Sequence, residues 1–511
     1  MADNLGVDPC EEFEETPLIV AIFCYISYMI LGIFGHLRDF LRETGIEKSP
    51  RTVERNRKGY VPLYRGYENF FNRNIYRRIR DICCQPVIGV PGATIDLLDR
   101  ASDDYNQTFR VLDRSAHCIN MGSYNYLGFA EITGPRVGRV HDCISKYGSS
   151  VGTTRHEYGT MDIHNELEKL MAEFLGVEDS VVFGMGFATN TTNIPTLAGK
   201  GCLLISDKLN HVSLILGCKL AGSTKKVFKH NDMRDLEQKL VEALADGQLP
   251  THKPWEKIII LVEGVYSMEG SIVNLPEVVR LKKKYKAYLY VDEAHSIGAL
   301  GKSGRGVCDH FGIQASEIDL LMGTFTKSYG SAGGYVAGKK ELINHIRVNS
   351  HSFAYASSMA APLAQQIILV LRTLMGQDSG SEGKDRIARL AQNSKYFRQK
   401  LKQMGFIVYG NNDSPVVPLL IFHPGKIREF ALLAKKLGLA VIVVGFPATP
   451  LVEVRVRFCL SASHTKEMLD KTLEVIDYIG DKLWLKYSRE ARKPKRHKFS
   501  KNLINTDLGR T

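Results

Sequence analysis

Residues 292–303 read DEAHSIGALGKS. The stretch sets two carboxylates beside a histidine, and nine residues after Asp292 comes Gly301-Lys302-Ser303. Either half could serve nucleotide hydrolysis, with an acidic box for magnesium and a Gly-Lys-Ser loop for phosphate. The phosphate loop needs a glycine five residues before Gly301, so that backbone N–H groups can wrap the phosphates, and that position is Ser296. The two halves also overlap, whereas such motifs sit at separate strand ends. Gly301-Lys302-Ser303 therefore reads as a turn after a strand, and Asp292 needs another use.

A lysine supplies one. Lys327 lies in GTFTKSYGSAGG, residues 323–334, just after an apolar run. Partial desolvation there would favour the free amine, which a Schiff-base lysine requires. A pyridine-ring cofactor also needs a carboxylate on its ring nitrogen and an anion site for its phosphate. Asp292 offers the first. GMGFATN at 184–190, a strand end followed by a helix start, offers backbone N–H groups and a positive dipole end for the second. His211, in SDKLNHVSL, opens the next helical segment and could stack on a ring, or simply cap that helix.

These residues need a scaffold that brings strand ends together. SVVFG (180–184), CLLIS (202–206), KIIILVEG (257–264), AYLYVDE (287–293) and DLLMGTF (319–325) are short apolar runs with polar or Gly-rich tips. Helical patterns lie between them: HNELEKLMAEFL, RDLEQKLVEALA and LPEVVRLKKKY. Alternation of this kind predicts an α/β fold with a largely parallel sheet covered on both faces, and ligands beyond the C-terminal strand ends. A polar break, GQDSGSEGKD, follows residue 375, and strands are predicted near GFIVY, VVPLLIF, LAVIVVG and VRVRFCL of a smaller C-terminal unit. The expected organisation is an acidic segment and membrane helix (1–36), a basic linker and lead-in (37–115), a large ligand-binding domain (116–375), a small domain (376–490) and a basic tail (491–511).

The motifs SYNYLG (123–128), LNHVSL, EGVYSMEGS, DEAHSIGALG, GTFTKS and RVRFCLSASHT (455–465) occur in one order over about 340 residues. In this the chain resembles the α-oxoamine synthase family of fold-type I pyridoxal-phosphate enzymes. An N-terminal apolar helix with basic flank, GTFTKSYGSAGGYVAG and FPATP (446–450) make it most similar to the long-chain-base 2-type catalytic members. The resemblance implies pyridoxal 5′-phosphate as cofactor and decarboxylative condensation of L-serine with a long-chain acyl-CoA. Glycine- or alanine-using members are the near alternative, and a non-catalytic membrane scaffold is the more distant one. It also implies a related partner subunit that lacks the Schiff-base lysine, small regulatory membrane subunits, and an endoplasmic reticulum membrane.

By the same resemblance Lys327 would carry the Schiff base, Asp292 would pair with the ring nitrogen and His211 would stack on the ring. His295 and Ser267 would reach the ring hydroxyl. Gly186 and Phe187 would contact the phosphate through backbone, and Thr324 through its side chain. Arg457 and Asn125 would hold the amino-acid carboxylate. Arg455 lies two residues from Arg457 on the same strand face and is its rival, while Asn125 could be a turn residue instead.

Composition fits a large enzyme: 511 residues, 44% hydrophobic and 24% charged, with a formal net charge of +12. Basic residues cluster at Arg38, Arg42, Arg51, Arg55, Arg57 and Lys58, and again at Arg492–Lys498. The expected contact for such charge is solvent or a lipid surface rather than nucleic acid. Ten cysteines lack metal spacing, so reduced thiols and no metal are expected, and the sequons at Asn106, Asn190 and Asn412 are read as unused. PLIVAIFCYISYMILGIF, residues 17–34, is uncharged, preceded by Glu11, Glu12, Glu14 and Glu15 and followed by arginines. The acidic lead argues against a cleaved signal. Charge bias would keep residues 35–511 cytosolic if the run spans a bilayer. Tyr25, Ser27 and Tyr28 interrupt it, which supports the rival reading of a helix lying in the interface, and a buried core helix is the third reading.

Overall fold

The apolar strands of the large sheet serve two cores at once. In the computed structural model, which describes residues 14–46, 59–60, 67–378 and 380–489, alternate strand residues enter opposite layers. Val182, Leu203, Ile205, Ile260, Val262, Leu289 and Val291 pack into one core. Their neighbours Val181, Leu204, Ile259, Leu261 and Tyr290 pack into the other. Side chains alternate along a strand, so only a sheet covered on both sides turns the period-two signal into a continuous apolar run.

The strands number fourteen among the described residues. First come β1 (Val87–Ile88), β2 (Thr94–Ala101) and β3 (Arg110–Asn120). Then follow β4 (Asp179–Phe183), β5 (Cys202–Asp207), β6 (Thr224–Phe228), β7 (Lys257–Glu263), β8 (Tyr288–Asp292), β9 (Leu320–Thr324) and β10 (Gly334–Gly338). The last are β11 (Val416–Leu420), β12 (Leu439–Ala440), β13 (Ile442–Val444) and β14 (Arg455–Cys459). The large sheet has the order β4-β10-β9-β8-β7-β5-β6. Only β10 runs against the others, pairing antiparallel with both β9 and β4. β11-β14-β13 form a small antiparallel sheet.

The segment expected as linker and lead-in is structured over much of its described length. It holds a short helix (Tyr67–Asn74), a 3-10 helix (Tyr76–Ile82) and β1–β3. β3 crosses the expected boundary at 115 and pairs in parallel with β12, which ties the lead-in to the C-terminal unit. GFIVY, predicted as a strand, makes only a bridge between Val408 and Leu419. The buried Arg398 guanidinium draws the carbonyls of Tyr409 and Gly410 to itself, so they are not offered to a neighbouring strand.

The N-terminal apolar run is part of a longer helix, Leu18–Glu43, which continues past the arginines at 38 and 42. It does not stand free. Val20 packs with Ile407, Tyr409, Leu420 and Phe422, and the Cys24 thiol donates to the Phe422 carbonyl at 3.1 Å. Tyr28 and Leu31 join Phe70, Phe71 and Phe446. Gly35 has no room for a side chain, because a Cβ there would lie 2.6 Å from the Phe70 ring. Glu11, Glu12, Arg51, Arg55, Arg57, Lys58 and the basic tail 491–511 lie outside the described residues.

Candidate active site

Because the strands of the large sheet other than β10 share one direction, their C-terminal ends meet along one edge. Phe183 leads to Gly186, Asp207 to His211, Glu263 to Ser267, Asp292 to His295 and Thr324 to Lys327. The large-domain residues singled out from the sequence are all at or within four residues of a strand end. β14 brings Arg457 from the small sheet, and the 123–128 loop brings Tyr124 and Asn125.

Tyr124 is the meeting point. Its ring lies 5.4 Å from Lys327 Nζ and 4.5 Å from the Arg457 guanidinium carbon. The His295 ring meets it edge-on, with centroids 5.0 Å apart. A phenol face attracts cations without neutralising them. Burial pushes the Lys327 amine down to about 8, with Arg457 adding to the effect while the Asp292 and Glu263 carboxylates oppose it.

Asp292 ends β8 and is 3% exposed. One carboxylate oxygen accepts from the Ala294 N–H at 2.9 Å and the other from Asn190 Nδ2 at 2.8 Å. Asn190 is itself fixed, accepting from the Tyr290 hydroxyl at 2.7 Å. Its side chain is spent inside the fold. Across the β7–β8 ladder Asp292 pairs with Glu263. Burial, and then the Asp292 charge, hold the Glu263 carboxyl well above the usual range. The His211 backbone N–H donates to Glu263 Oε1, so this acid sets where His211 begins its helix.

His211 caps the helix Val212–Leu220 through Nδ1, which accepts from Ser213 N at 3.3 Å. The cap occupies one ring nitrogen. Phe187 stands edge-on to it at 6.0 Å. Burial, reinforced by Lys327, lowers the imidazole pKa while Asp292 raises it. His295 is driven further down, by burial first and then by Lys327 and Arg457. The Tyr126 hydroxyl lies 2.7 Å from His295 Nδ1. Burial raises the Tyr126 phenol well above its usual range, so it keeps its proton. When the phenol donates to Nδ1, Nε2 of His295 is the donor nitrogen.

The two arginines separate clearly. Arg455 is fully buried, with Nη2 2.7 Å from Glu453 Oε2 and Nη1 3.4 Å from Glu269 Oε1, and it also donates to the Met268 carbonyl. Arg457 has no carboxylate partner among the described residues. Its Nη1 lies 3.7 Å from the Met268 sulfur, and its buried Nε has no hydrogen-bond partner. Asn125 is more committed. Its Nδ2 donates to the Pro91 carbonyl at 3.0 Å and its Oδ1 accepts from Ala130 N at 3.3 Å, which holds the 125–130 loop. Ser267 is buried next to Met268. The Thr324 hydroxyl donates to the Gly333 carbonyl at 2.9 Å and lies 2.8 Å from the Thr326 hydroxyl. The helix that starts at Gly186 has no side-chain cap, and a Cβ at Gly186 would lie 2.6 Å from Thr324 Oγ1. The nine described cysteines are free, and no cluster of three metal-ligating side chains occurs among the described residues.

A family model, aminotransferase class I and II, matches residues 116–476. The chain belongs to the aminotransferase class I and II family. It is 56% identical over 486 residues to human serine palmitoyltransferase 3, covering 94% of this chain and 88% of that one. It is 50% identical to serine palmitoyltransferase 2 of Caenorhabditis elegans over 499 residues, covering 97% and 89%. Among solved structures, serine palmitoyltransferase of Sphingomonas wittichii superposes with a TM-score of 0.71 at 27% identity, covering 84% of this chain and 99% of that one. A high-resolution structure of SPT with PLP matches equally well, with a TM-score of 0.71 and coverage of 82% and 100%.

The site suits pyridoxal phosphate. An uncapped helix start with a glycine pressed on a threonine leaves N–H groups for a phosphate. Asp292 has both oxygens oriented, Lys327 titrates at about 8, closer to neutrality than an ordinary lysine, and the orphaned Arg457 Nε calls for an anionic guest.

Arg457→Lys should raise the amino-acid KM at least tenfold, because an ammonium cannot grip a carboxylate with two parallel hydrogen bonds. Arg455→Lys should instead lower the melting temperature with a smaller change in KM. Steady-state kinetics and thermal melts of both variants check this, and a larger KM effect at Arg455 would reverse the assignment.

Glu263→Gln should keep cofactor affinity within a few-fold, since an amide oxygen accepts from His211 as a protonated acid does. Glu263→Ala frees the His211 N–H and should weaken cofactor binding by about tenfold, the cost of one buried hydrogen bond at about 1–2 kcal/mol. Fluorescence titration of cofactor-free protein measures both.

Proposed function

We propose that the chain is the catalytic subunit of a serine C-palmitoyltransferase, joining L-serine to palmitoyl-CoA with release of CO2 and CoA to give 3-ketodihydrosphingosine, the first step of sphingolipid synthesis. The observation that carries this reading is the group around Tyr124: a lysine with pKa about 8, a guanidinium without a carboxylate partner, and a neutral histidine, all facing the Asp292 strand end.

Pyridoxal phosphate, when bound, would supply an electron sink for the amino-acid Cα. Lys327 would hold its aldehyde and, as a free amine, would accept and return the Cα proton. Asp292, with Asn190 and Ala294 fixing both oxygens, would hold the ring-nitrogen proton. His211 would stack on the ring from its helix cap. His295 Nε2 and Ser267 would donate to the ring hydroxyl. Gly186, Phe187 and the Thr324–Thr326 pair would hold the phosphate, for which Thr324 would exchange its bond to Gly333. Arg457 takes the serine carboxylate, while Asn125 could join it only by giving up Pro91 and Ala130.

A non-catalytic scaffold is disfavoured because Lys327 is present and tuned. The choice of serine over glycine or alanine rests on the relatives, which are serine palmitoyltransferases. We propose further an endoplasmic reticulum membrane location with the catalytic body on the cytosolic side, and a related partner subunit lacking the lysine together with small membrane subunits; the apolar N-terminal helix supports the membrane part of this reading.

Incorporation of labelled serine, glycine and alanine with a ladder of acyl-CoAs tests the activity. Serine with a long-chain acyl-CoA should dominate, and a preference for glycine or alanine would favour the alternative. Lys327→Ala should abolish turnover while leaving the fold intact.

At pH 7.5 about a quarter of Lys327 is free amine, against about one part in a thousand at the ordinary lysine value. Capture of added pyridoxal phosphate by cofactor-free protein should therefore accelerate with rising pH and level off above about 8. Stopped-flow absorbance checks this, and a rate still climbing beyond pH 10 would contradict the lowered pKa.

A further inference from the structure

The turn after β7 carries Ser267, Met268 and Glu269 in succession. The Met268 carbonyl accepts from Arg455 at 2.9 Å, and the Met268 sulfur lies 3.7 Å from Arg457 Nη1. Glu269 Oε1 lies 3.4 Å from Arg455 Nη1. Where this turn stands therefore decides what faces the Arg457 guanidinium. The turn is a small hairpin. Val265 bridges to Ile272, the Tyr266 N–H donates to the Ser271 carbonyl at 2.9 Å, and the Gly270 N–H donates to the Tyr266 carbonyl at 2.8 Å. A hairpin this short is not stable alone, so its position must be fixed from outside.

It is fastened on two sides. From the C-terminal unit, the Asn411 N–H donates to the Gly270 carbonyl at 3.1 Å, and the Asn411 side-chain oxygen accepts from the Ile272 N–H at 2.6 Å. From the large sheet the fastening is His230, two residues after β6. Its Nδ1 lies 3.0 Å from Asp207 Oδ1, and its Nε2 lies 2.8 Å from the Ser271 hydroxyl. The ring also meets Tyr266 edge-on, with centroids 4.4 Å apart. Asp207 ends β5 and is 2% exposed. It accepts from the Leu209 N–H at 2.8 Å and the Asn231 N–H at 2.9 Å. Asn231 in turn donates from its side chain to the Ile272 carbonyl at 3.0 Å. A strand end thus passes its position through one imidazole to a hydroxyl on the hairpin. The Asp-His-Ser order is that of a nucleophilic triad, but Ser271 is 4% exposed, so the bonds here hold a loop and attack nothing.

We propose that His230 is a positioning residue for amino-acid binding: it locks the 264–272 hairpin to the end of β5 and so sets Ser267 and Met268 against Arg457. The proposal rests on the reading of Arg457 as the grip for the substrate carboxylate. Asp292 and His211 are held by bonds of their own, from Asn190 and Ala294 and to Glu263 and Ser213. Loosening the hairpin therefore weakens capture of the amino acid more than turnover of the captured one. Of the two imidazole bonds, the one to Ser271 does the positioning, because only Ser271 belongs to the hairpin. A glutamine amide nitrogen stands as many bonds from Cβ as His Nε2 and can reach Ser271. An asparagine amide nitrogen matches Nδ1 and can reach only Asp207.

The test compares His230→Ala, His230→Asn, His230→Gln and Ser271→Ala in the full-length holoenzyme. Serine KM and kcat are measured, and amide hydrogen exchange of residues 264–272 is followed in the same proteins stripped of cofactor. His230→Ala, His230→Asn and Ser271→Ala should each raise serine KM about tenfold, the loss of one buried hydrogen bond, while kcat falls by less than about threefold. His230→Gln should bring KM back to within about threefold of the parent. Exchange over 264–272 should quicken in the three impaired variants, with or without cofactor. An unchanged KM in Ser271→Ala would overturn the proposal, and this variant removes only one oxygen, so it decides the matter even if His230→Ala does not fold. Unchanged exchange over the hairpin would overturn it as well. Rescue by asparagine and not by glutamine would place the role of His230 at Asp207 and overturn it too. A parent enzyme that turns over glycine or alanine in place of serine would sink the serine reading instead. KM is then read on that amino acid, and the exchange comparison stands unaltered.

Discussion

The site exists because strands β4, β5, β7, β8 and β9 share one direction. A parallel sheet delivers all its C-terminal ends to one edge, and each end must leave the hydrogen-bonded ladder there. The groups stranded by that exit are the ones that do the chemistry: Asp292, Glu263, the helix start at Gly186 and the lysine after Thr324. β10 runs the other way between β4 and β9, joining them in one ladder without adding a site residue.

Crowding charge into such an edge has an electrostatic cost, and the structure offsets it by unequal treatment of neighbours. Asp292 and Glu263 face each other across one rung, but only Asp292 receives a side-chain amide, from Asn190. Glu263 instead responds with a raised pKa. The same division holds in the small sheet, where Arg455 consumes two glutamates and Arg457 is left for a guest.

Much of this was legible in the sequence, for a physical reason. Strands covered on both faces must be apolar throughout, and KIIILVEG or AYLYVDE announce themselves. GGYVAG at β10 did not, because glycines packed between two strands carry no pattern. GFIVY misled, since the pattern is blind to Arg398 taking its carbonyls. Lys327 and Asp292 could be found because both follow apolar runs within distinctive motifs. Glu263 stood in the quoted EGVYSMEGS and was passed over, since a glutamate ending a strand ordinarily faces water. Tyr124 was likewise in view in SYNYLG, but its role comes from three partners remote in sequence. No spacing rule could choose between Arg455 and Arg457, which share a face two residues apart. The choice lies in Glu269 and Glu453, one remote in sequence and one just before the strand.

Phe446, packed between the N-terminal helix and the Phe71 ring with centroids 5.0 Å apart, opens the loop that joins β13 to β14. Leu451 in that loop accepts from Cys24, and β13 pairs Ile442 with Arg457. The greasy helix is thus one wall of the hairpin that presents the arginine. Anyone seeking a detergent-free preparation should replace the exposed apolar residues of the helix with polar ones and leave the helix in place, since cutting it away would remove the wall together with the grease.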